Sequence, residues 1–465
     1  MRDETVLEDA VSDDATTLVI FGACGDLSSR LLLPALGQLL TIEESRRIRL
    51  IGADREDWTD DQLRDIVAMS FSSADAGAAV GQLSIEYRHC DLMQPDQVRS
   101  LLGELPERSA LYFAVPPSVA ATACASLSSD DLPAGTMLVL EKPFGTDEAS
   151  AAELNAILAQ LVPERQVFRV DHFLGRSTTL NLLGARFANR LLSPVWSAEH
   201  IESVTIVFDE SLGLEGRAGY YDGAGAMDDM IQSHLLQVLA VLAMEEPAAL
   251  DEIDFREATT AVLRATRVWK DDPASASRRA RYTAGTVGTA TMPSYADEPG
   301  VDAARGTETL AEATFEVRNA RWTGVPFTLR SGKAISDPHQ LVSVRFRPVR
   351  HLPSGFTGTA DGAELRFWLG PDRMDLEINV NGAADPLELE RATLSTEFGE
   401  GALRAYAEVL SSILDGDPML AVRGDAAEQC WRIVDPIARA WENDEVPLEE
   451  YEAGSAGPSS WATSR

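Results

Sequence analysis

Cysteine is scarce in this 465-residue chain, and its spacing argues against two kinds of site. The four cysteines are Cys24, Cys90, Cys124 and Cys430, and no two of them form a C-x-x-C pair. Such wide spacing argues against a structural zinc site and against a disulfide framework. We therefore predict no bound metal, and we expect the cysteines to be buried as small apolar side chains.

Long apolar runs are also missing. The longest, such as HLLQVLAVLAM, are too short to span a bilayer. The first residues, MRDETVLEDAVSDDATT, are acidic and lack the apolar core of a secretory signal. These absences predict a cytoplasmic protein.

Positive charge is the third shortage. The formal net charge of −34 disfavours nucleic acid or an anionic membrane as a partner, because both require a basic surface. Of the 40 basic residues only three are lysine: Lys142, Lys270 and Lys333. A chain that uses arginine almost everywhere makes each remaining lysine a candidate for a specific role.

The first part of the chain predicts a doubly wound parallel sheet. TTLVIFGACGDLSSRLLLPALGQLL has the pattern of a strand, a glycine turn and a helix, and the strand-like IRLIGADRE, SALYFAVPP and TMLVLEKPFG alternate with helical stretches. We place this Rossmann-like domain at residues 16–175, after an acidic tail over residues 1–15.

The second part has a different pattern. Alternating apolar and polar residues in TFEVRNARW, LVSVRFR, ELRFWLG and MDLEINV predict a large antiparallel sheet, accompanied by helices such as AMDDMIQSHLLQVLAVLAM. We place this α+β domain at residues 176–453 and a loose tail, rich in Gly, Ser and Ala, at residues 454–465. The fold class is therefore α/β followed by α+β.

Two short segments of the first domain suggest a dinucleotide site. In FGACGDLSSR, Gly22 and Gly25 follow a strand and open a helix, so that backbone N–H groups can meet a pyrophosphate, although a plain tight turn would use the same glycines. At the end of the next strand, Asp54 would bind a ribose 2′-hydroxyl, whereas Arg55 would meet a 2′-phosphate. Either could instead be a solvated surface charge. We predict NADP, with NAD left open as a second acceptor.

The stretch RVDHFLGRS predicts a second group of functional residues. Asp171 and His172 end the last strand of the first domain, at the edge where such sheets bind ligands. His234 lies in the apolar helix DDMIQSHLLQVL, where a hydrogen-bonded core histidine is the alternative. If Asp171 orients His234, the pair forms a general base that can take the hydroxyl proton during hydride transfer from an alcohol.

The chain resembles the glucose-6-phosphate dehydrogenase family over nearly its whole length. The matching segments, in order, include GACGDLSSRLLLPAL, YFAVPPSV, EKPFG, RVDHFLGR, EGRAGYYD, SHLLQVLAVLAME, GVPFTLRSGK and CWRIVDP. The resemblance implies oxidation of glucose 6-phosphate to 6-phosphogluconolactone with NADP, at the entry to the pentose phosphate pathway. It also implies a homodimer or a homotetramer.

The resemblance further implies a role for each matching residue. It makes His234 the general base and Asp171 the acid that orients it. The residues implied to bind the substrate are Lys142, His172, Arg176, Glu210, Asp229 and Lys333. Those implied to bind the cofactor are Gly22, Ala23, Cys24, Gly25, Asp26, Leu27, Arg55 and Lys142.

Several positions depart from the family's pattern. Phe173 replaces a tyrosine, Arg176 a lysine, Asp228 an arginine, Ser233 an asparagine and Pro338 a basic residue. Asp228 could face solvent or alter the anion site. These departures leave two alternatives open: a dehydrogenase of the same fold acting on another sugar or sugar phosphate, and a catalytically poor regulatory paralogue. Retention of the base argues against the paralogue.

Overall fold

The structure, a computed structural model, describes residues 16–464 except residues 217, 371, 400 and 402. The predicted acidic tail, residues 1–15, lies outside the described residues. The chain divides into two compact units. Unit 1 holds the described residues up to Gly145, together with Ala152–Gly175 and Leu403–Gly424. Unit 2 holds those of Thr146–Ala151, Arg176–Ala402 and Asp425–Arg465.

The strands are numbered in chain order. They are β1 (Thr16–Phe21), β2 (Ile48–Asp54), β3 (Leu83–His89), β4 (Ala110–Phe113), β5 (Met137–Glu141), β6 (Val167–Val170), β7 (Ile201–Asp209), β8 (Thr266–Val268), β9 (Ser277–Thr283), β10 (Gly285–Val287), β11 (Ala290–Met292), β12 (Leu310–Val317), β13 (Phe327–Gly332), β14 (Gln340–Phe346), β15 (Thr357–Gly358), β16 (Glu364–Leu369), β17 (Asp372–Asn381), β18 (Glu388–Glu397), β19 (Ala421–Val422) and β20 (Leu448–Glu452).

The α-helices are numbered in the same way. They are α1 (Leu33–Ile42), α2 (Asp60–Ser73), α3 (Pro95–Leu102), α4 (Pro117–Ala125), α5 (Glu148–Leu161), α6 (Ser177–Phe187), α7 (Ala218–Ala226), α8 (Leu236–Ala243), α9 (Asp254–Ala265), α10 (Ala405–Asp415) and α11 (Gly424–Glu442). Two wider, π-helical segments, Ser28–Leu32 and Met227–Leu235, lead into α1 and α8. Among the described residues, no helix combines the length and the apolar character needed to cross a membrane.

Unit 1 is built on a seven-stranded sheet in the order β19-β6-β5-β4-β1-β2-β3. Its neighbours are parallel, except that β19 runs antiparallel to β6. Leu18 and Ile20 of β1 pack into one apolar cluster, and Val19 and Phe21 pack into another on the opposite face. Burial of both faces is typical of a parallel sheet between two layers of helices. The predicted doubly wound domain is confirmed.

Unit 2 is built on an eleven-stranded sheet in the order β15-β18-β17-β16-β14-β7-β13-β12-β9-β20, with β8 paired to β12. Most neighbours are antiparallel, as predicted, whereas β7 with β13, β15 with β18, and β9 with β20 are parallel. The parallel pair of β7 and β13 matters for function, because its carboxyl ends carry two of the predicted substrate residues.

Two parts of the predicted domain division differ from the structure. Leu403–Gly424 belongs to unit 1, where β19 extends the sheet, so residues 176–453 are not one continuous domain. The predicted loose tail is packed at Trp461, which is 4% exposed. Its indole Nε1 donates to Glu449 at 2.7 Å, and the Arg278 guanidinium lies 4.7 Å from its ring centroid. The tail is therefore held against unit 2 at Trp461 by burial of a large aromatic side chain.

Candidate active site

The loop after β1 is a tight turn that only glycine can make. Gly22 has φ of 84°, and a Cβ there would lie 2.3 Å from the carbonyl oxygen of Ala114. The Gly25 N–H donates to the Gly22 carbonyl at 3.0 Å, and the Ser28 hydroxyl donates to the same oxygen at 2.9 Å. The backbone therefore passes close to β4 and then enters a helix, which is the geometry that a dinucleotide pyrophosphate requires.

A cavity of about 310 Å³ opens beside this loop in unit 1. Its lining includes Gly22 and Gly25 from the loop, Asp54 and Arg55 at the end of β2, and Val115 after β4. These residues lie at the carboxyl ends of three neighbouring parallel strands, where ligands of such sheets bind. The structure therefore brings together three of the predicted cofactor residues.

The other predicted loop residues lie around this turn. Ala23 is 3% exposed and belongs to the core of unit 1, and Cys24 and Leu27 pack partly buried against that core. Asp26 is exposed. Burial raises the pKa of the Cys24 thiol to about 12, and the negative charge of Asp54 adds to the shift, so the thiol is neutral near pH 7.

Asp54 and Arg55 are held in different ways. One carboxylate oxygen of Asp54 accepts the Cys24 N–H at 3.1 Å, and the other accepts the Arg55 N–H at 2.8 Å. The Arg55 side chain is 76% exposed, and its Nε lies 3.8 Å from a Glu56 oxygen. The carboxylate is therefore fixed to the glycine loop, whereas the guanidinium extends into solvent at the edge of the cavity.

The end of β5 contains an acid that the sequence did not point to. Tyr112 donates its hydroxyl to Glu141 at 2.5 Å. Burial raises the pKa of the Glu141 carboxyl to about 7; the hydrogen bond from Tyr112 lowers it, and the charge of Asp171 raises it. Lys142, which follows, is half-buried. The sequence did contain a signal for Glu141, because this acid ends an apolar strand and precedes one of only three lysines.

The residues after β6 form a compact polar corner of unit 1. Asp171 is 2% exposed, and one of its carboxylate oxygens accepts the Phe173 N–H at 2.9 Å. The half-buried His172 ring stacks on Tyr406 of α10, with centroids 5.1 Å apart and planes 16° apart. Phe173 is buried and meets the His172 ring edge-on at 5.2 Å. The carboxylate and the imidazole are thus fixed at the edge of the sheet.

In unit 2, two predicted substrate residues are paired with each other. Glu210 follows β7 and Lys333 follows β13, its parallel neighbour. The Lys333 ammonium donates to Glu210 at 2.5 Å and lies 5.0 Å from the ring centroid of Tyr221. Lys333 is 6% exposed, so this is a nearly buried ion pair. By contrast, Lys270 is exposed.

The π-helical segment Met227–Leu235 carries the predicted base. His234 is 1% exposed there. Ser233 donates its hydroxyl to the Asp229 carbonyl at 2.8 Å. Burial raises the pKa of the Tyr220 hydroxyl, and the negative charge of Asp229 raises it further. Wide helical turns of this kind are frequent at functional sites.

Asp228 is half-buried at the start of the same segment rather than freely solvated. Burial raises the pKa of its carboxyl to about 7, and the charges of Glu308 and Asp229 add to the shift. Glu308 is 7% exposed and accepts the Met227 N–H at 2.9 Å, and burial also raises the pKa of its carboxyl to about 7. Asp228 therefore does not simply face solvent, and its effect on the anion site stays a prediction.

The Arg176 side chain is partly engaged within unit 2. Its Nη1 donates to the Leu369 carbonyl at 3.2 Å, and its guanidinium carbon lies 5.0 Å from the Phe208 ring centroid. Pro338 is half-buried and supplies no charge. The sequence did not predict that the Arg176 guanidinium would donate one hydrogen bond to a strand carbonyl, that of Leu369.

Comparison with known proteins gives a consistent result over most of the chain. Residues 19–181 match the family described as glucose-6-phosphate dehydrogenase, NAD binding domain, and residues 183–464 match its C-terminal domain. The glucose-6-phosphate 1-dehydrogenase of Gluconobacter oxydans is 40% identical over 95% of this chain and 94% of its own length. That of Bacillus subtilis is 32% identical with the same coverage of both chains.

Solved structures agree with these relatives. A glucose-6-phosphate dehydrogenase in complex with its substrate glucose-6-phosphate has a TM-score of 0.86 and 29% identity, with 97% of each chain covered. The glucose-6-phosphate 1-dehydrogenase of Mycobacterium avium has a TM-score of 0.83 and 31% identity, with 96% of each chain covered. The chain belongs to the glucose-6-phosphate dehydrogenase family.

Proposed function

We propose that the chain oxidises glucose 6-phosphate to 6-phosphogluconolactone, with NADP as the hydride acceptor. The observation that carries the proposal is the nearly buried pair of Lys333 and Glu210 at the carboxyl ends of two parallel strands. An ammonium group and a carboxylate side by side suit a ligand that offers both an anionic group and hydroxyls. The relatives to which the chain is similar are named for this substrate, and one of them has been solved in complex with glucose-6-phosphate.

His234 acts as the general base in this proposal. It takes the proton of the sugar's anomeric hydroxyl while the hydride leaves the same carbon, and Asp171 supports the imidazolium that forms. The almost complete burial of both residues favours such a role, because a charge that develops out of contact with water needs a fixed partner.

The nucleotide site fits a dinucleotide. Gly22 leaves no room for a Cβ, and the loop enters a helix beside a cavity whose lining includes Arg55 at the end of β2. When bound, NADP supplies the nicotinamide that accepts the hydride. Arg55 would hold the 2′-phosphate, and Lys142 would contact the cofactor and the sugar. NAD stays a second acceptor in this proposal, because the Asp54 carboxylate beside Arg55 would bind the ribose 2′-hydroxyl that NAD carries.

His172, Arg176 and Lys333 hold the sugar phosphate in this proposal. The grip should be weaker than in relatives with the usual residues, because Phe173 has no hydroxyl, Pro338 has no charge, and one Arg176 donor already bonds Leu369. These departures keep a second candidate open, which is the same oxidation with a weaker requirement for phosphate or with another sugar.

The assay that tests the proposal follows the absorbance of reduced nicotinamide. The purified chain is given glucose 6-phosphate, free glucose and other hexose phosphates, each with NAD and with NADP. Glucose 6-phosphate with NADP should give the highest kcat/KM. Equal rates with glucose and glucose 6-phosphate would support the second candidate, and no turnover of any sugar would support a regulatory paralogue.

Two further expectations belong to this proposal. We propose that the enzyme works in the cytoplasm, which cell fractionation would test. We also propose a homodimer or a homotetramer, which size-exclusion chromatography with light scattering would test.

A further inference from the structure

Tyr221 is a buried tyrosine whose hydroxyl makes no hydrogen bond with any described residue. The residue is 3% exposed, and it lies in α7, in the EGRAGYYD segment. Burying an unpaired hydroxyl costs free energy, and a phenylalanine would avoid the cost. The hydroxyl therefore does not explain the position of this side chain within the fold, and the ring is the part to consider.

The ring of Tyr221 lies beneath the ammonium group of Lys333. The ammonium nitrogen is 5.0 Å from the ring centroid, within the range of a cation–π contact. Such contacts strengthen when water is excluded, and Lys333 is 6% exposed. Within the described part of the chain, Lys333 makes one hydrogen bond, to Glu210, and an ammonium group has three donors. Two donors therefore remain for a ligand.

The ring is itself held from the other side. Tyr295 packs edge-on against Tyr221, with centroids 6.4 Å apart and planes 69° apart. The Tyr295 hydroxyl donates to Asp222 at 2.8 Å, and the Asp302 N–H donates to the other oxygen of that carboxylate at 3.0 Å. Tyr295, which packs against the Tyr221 ring, is therefore itself fixed by its hydrogen bond to Asp222.

We propose that Tyr221 is a positioning residue of the sugar site, whose ring holds the Lys333 ammonium beside Glu210 so that its remaining donors face the substrate. Without the ring, a flexible four-carbon side chain would be held only by the carboxylate, and its nitrogen would have more freedom. The inference rests on the proposed function, because it assumes that Lys333 binds the sugar phosphate.

The unpaired hydroxyl makes the test clean, because Tyr221→Phe removes no hydrogen bond seen in the structure. Tyr221→Phe should keep KM for glucose 6-phosphate within about twofold of the starting enzyme. Tyr221→Leu, which removes the aromatic face, should raise that KM roughly tenfold. KM for NADP should not change, and kcat should change less than KM. If Tyr221→Phe and Tyr221→Leu behave alike, the inference is wrong.

Tyr282 offers a matched control for loss of an aromatic ring. It is 1% exposed, belongs to the same apolar cluster and also packs edge-on against Tyr295, with centroids 5.7 Å apart. Tyr282→Leu also removes the hydrogen bond that the Tyr282 hydroxyl donates to Glu298 at 3.0 Å, so it should lower the thermal midpoint at least as much as Tyr221→Leu. It should nevertheless leave KM for glucose 6-phosphate near its starting value. An equal rise in KM for both leucine variants would show a general packing defect and would overturn the inference.

A measurement without turnover separates this inference from the proposed function. Acetic anhydride is added to each variant, and acetylation of Lys333 is followed by mass spectrometry. Lys333 should be modified several-fold faster in Tyr221→Leu than in the starting enzyme or in Tyr221→Phe. That result without any oxidation of glucose 6-phosphate would overturn the proposed function and keep the contact. Oxidation of glucose 6-phosphate, together with equal rates of Lys333 acetylation in all three proteins, would keep the proposed function and overturn the inference about Tyr221.

Discussion

The two units hold their functional groups by different means. In unit 1, the nucleotide cavity opens beside a backbone turn at Gly22 that no other residue could make. In unit 2, two of the groups predicted to bind the sugar, Lys333 and Glu210, form an ion pair in which Lys333 is buried. A backbone turn depends on local sequence, whereas an ion pair such as this one depends on partners far apart in the chain.

The largest expected effect tests the role of unit 2 in the chemical step. His234→Asn removes the proposed base and should lower kcat by roughly 10²–10⁴, because general-base catalysis contributes about that much. KM for glucose 6-phosphate should change far less, since other residues hold the sugar. Steady-state kinetics would measure both constants. Asp171→Asn should lose less activity than His234→Asn. Near-normal turnover in His234→Asn would show that another residue is the base.

The next effect should be confined to unit 1. Arg55→Ala should raise KM for NADP about ten- to a hundredfold, because a charge-assisted contact to a phosphate is lost, and should leave NAD nearly unaffected. Kinetics with both nucleotides would measure this, and an equal loss with both would contradict it. Asp54→Ala should favour NADP, but it also removes the bond to the Cys24 N–H. Asp54→Asn, which keeps an acceptor and removes the charge, is the sharper control.

The two sites differ in how much of them could be predicted from the sequence. The glycine loop and its sheet could be predicted, because every signal lies within one strand, one turn and one helix. Glu210 and Lys333 are 123 residues apart, and their pairing could not be read from either segment. The return of β19 to the sheet of unit 1 was missed because two residues carry no periodic pattern. The burial of Glu308 was missed because its partner is a backbone N–H.

A smaller effect concerns the phosphate of the sugar. Arg176→Ala should raise KM for glucose 6-phosphate roughly tenfold, since a cationic donor is lost, and should barely alter any slow oxidation of free glucose. Comparing the two substrates in one assay gives the measurement. Arg176→Lys keeps the charge and should recover most of the loss. An equal change with both sugars would mean that Arg176 only supports the fold through Leu369 and Phe208.

The smallest expected effect is on stability and comes from the buried acids of unit 2. Because the folded-state pKa of Glu308 is about 7, above the ordinary value of 4.5, its contribution to stability is fully present below about pH 4.5. That contribution is lost as the pH rises towards 7. Glu308→Gln, which keeps an acceptor for the Met227 N–H, should raise the thermal midpoint at pH 8 by roughly 2–4 °C and flatten its fall between pH 5 and pH 8. Thermal scans at several pH values would measure this. A steeper fall in the variant would contradict it, and Asp228→Asn should act in the same direction.

The state of the cysteines has a consequence for how the enzyme withstands oxidants. Burial raises the pKa of the Cys90 thiol to about 11 and that of Cys124 to about 12, and Cys430 is 2% exposed. With the neutral Cys24, the chain thus has four thiols that are poorly ionised or shielded. Peroxide and alkylating reagents attack the thiolate. The folded enzyme should therefore keep its activity in dilute hydrogen peroxide or iodoacetamide, without added reductant, for as long as its core stays closed.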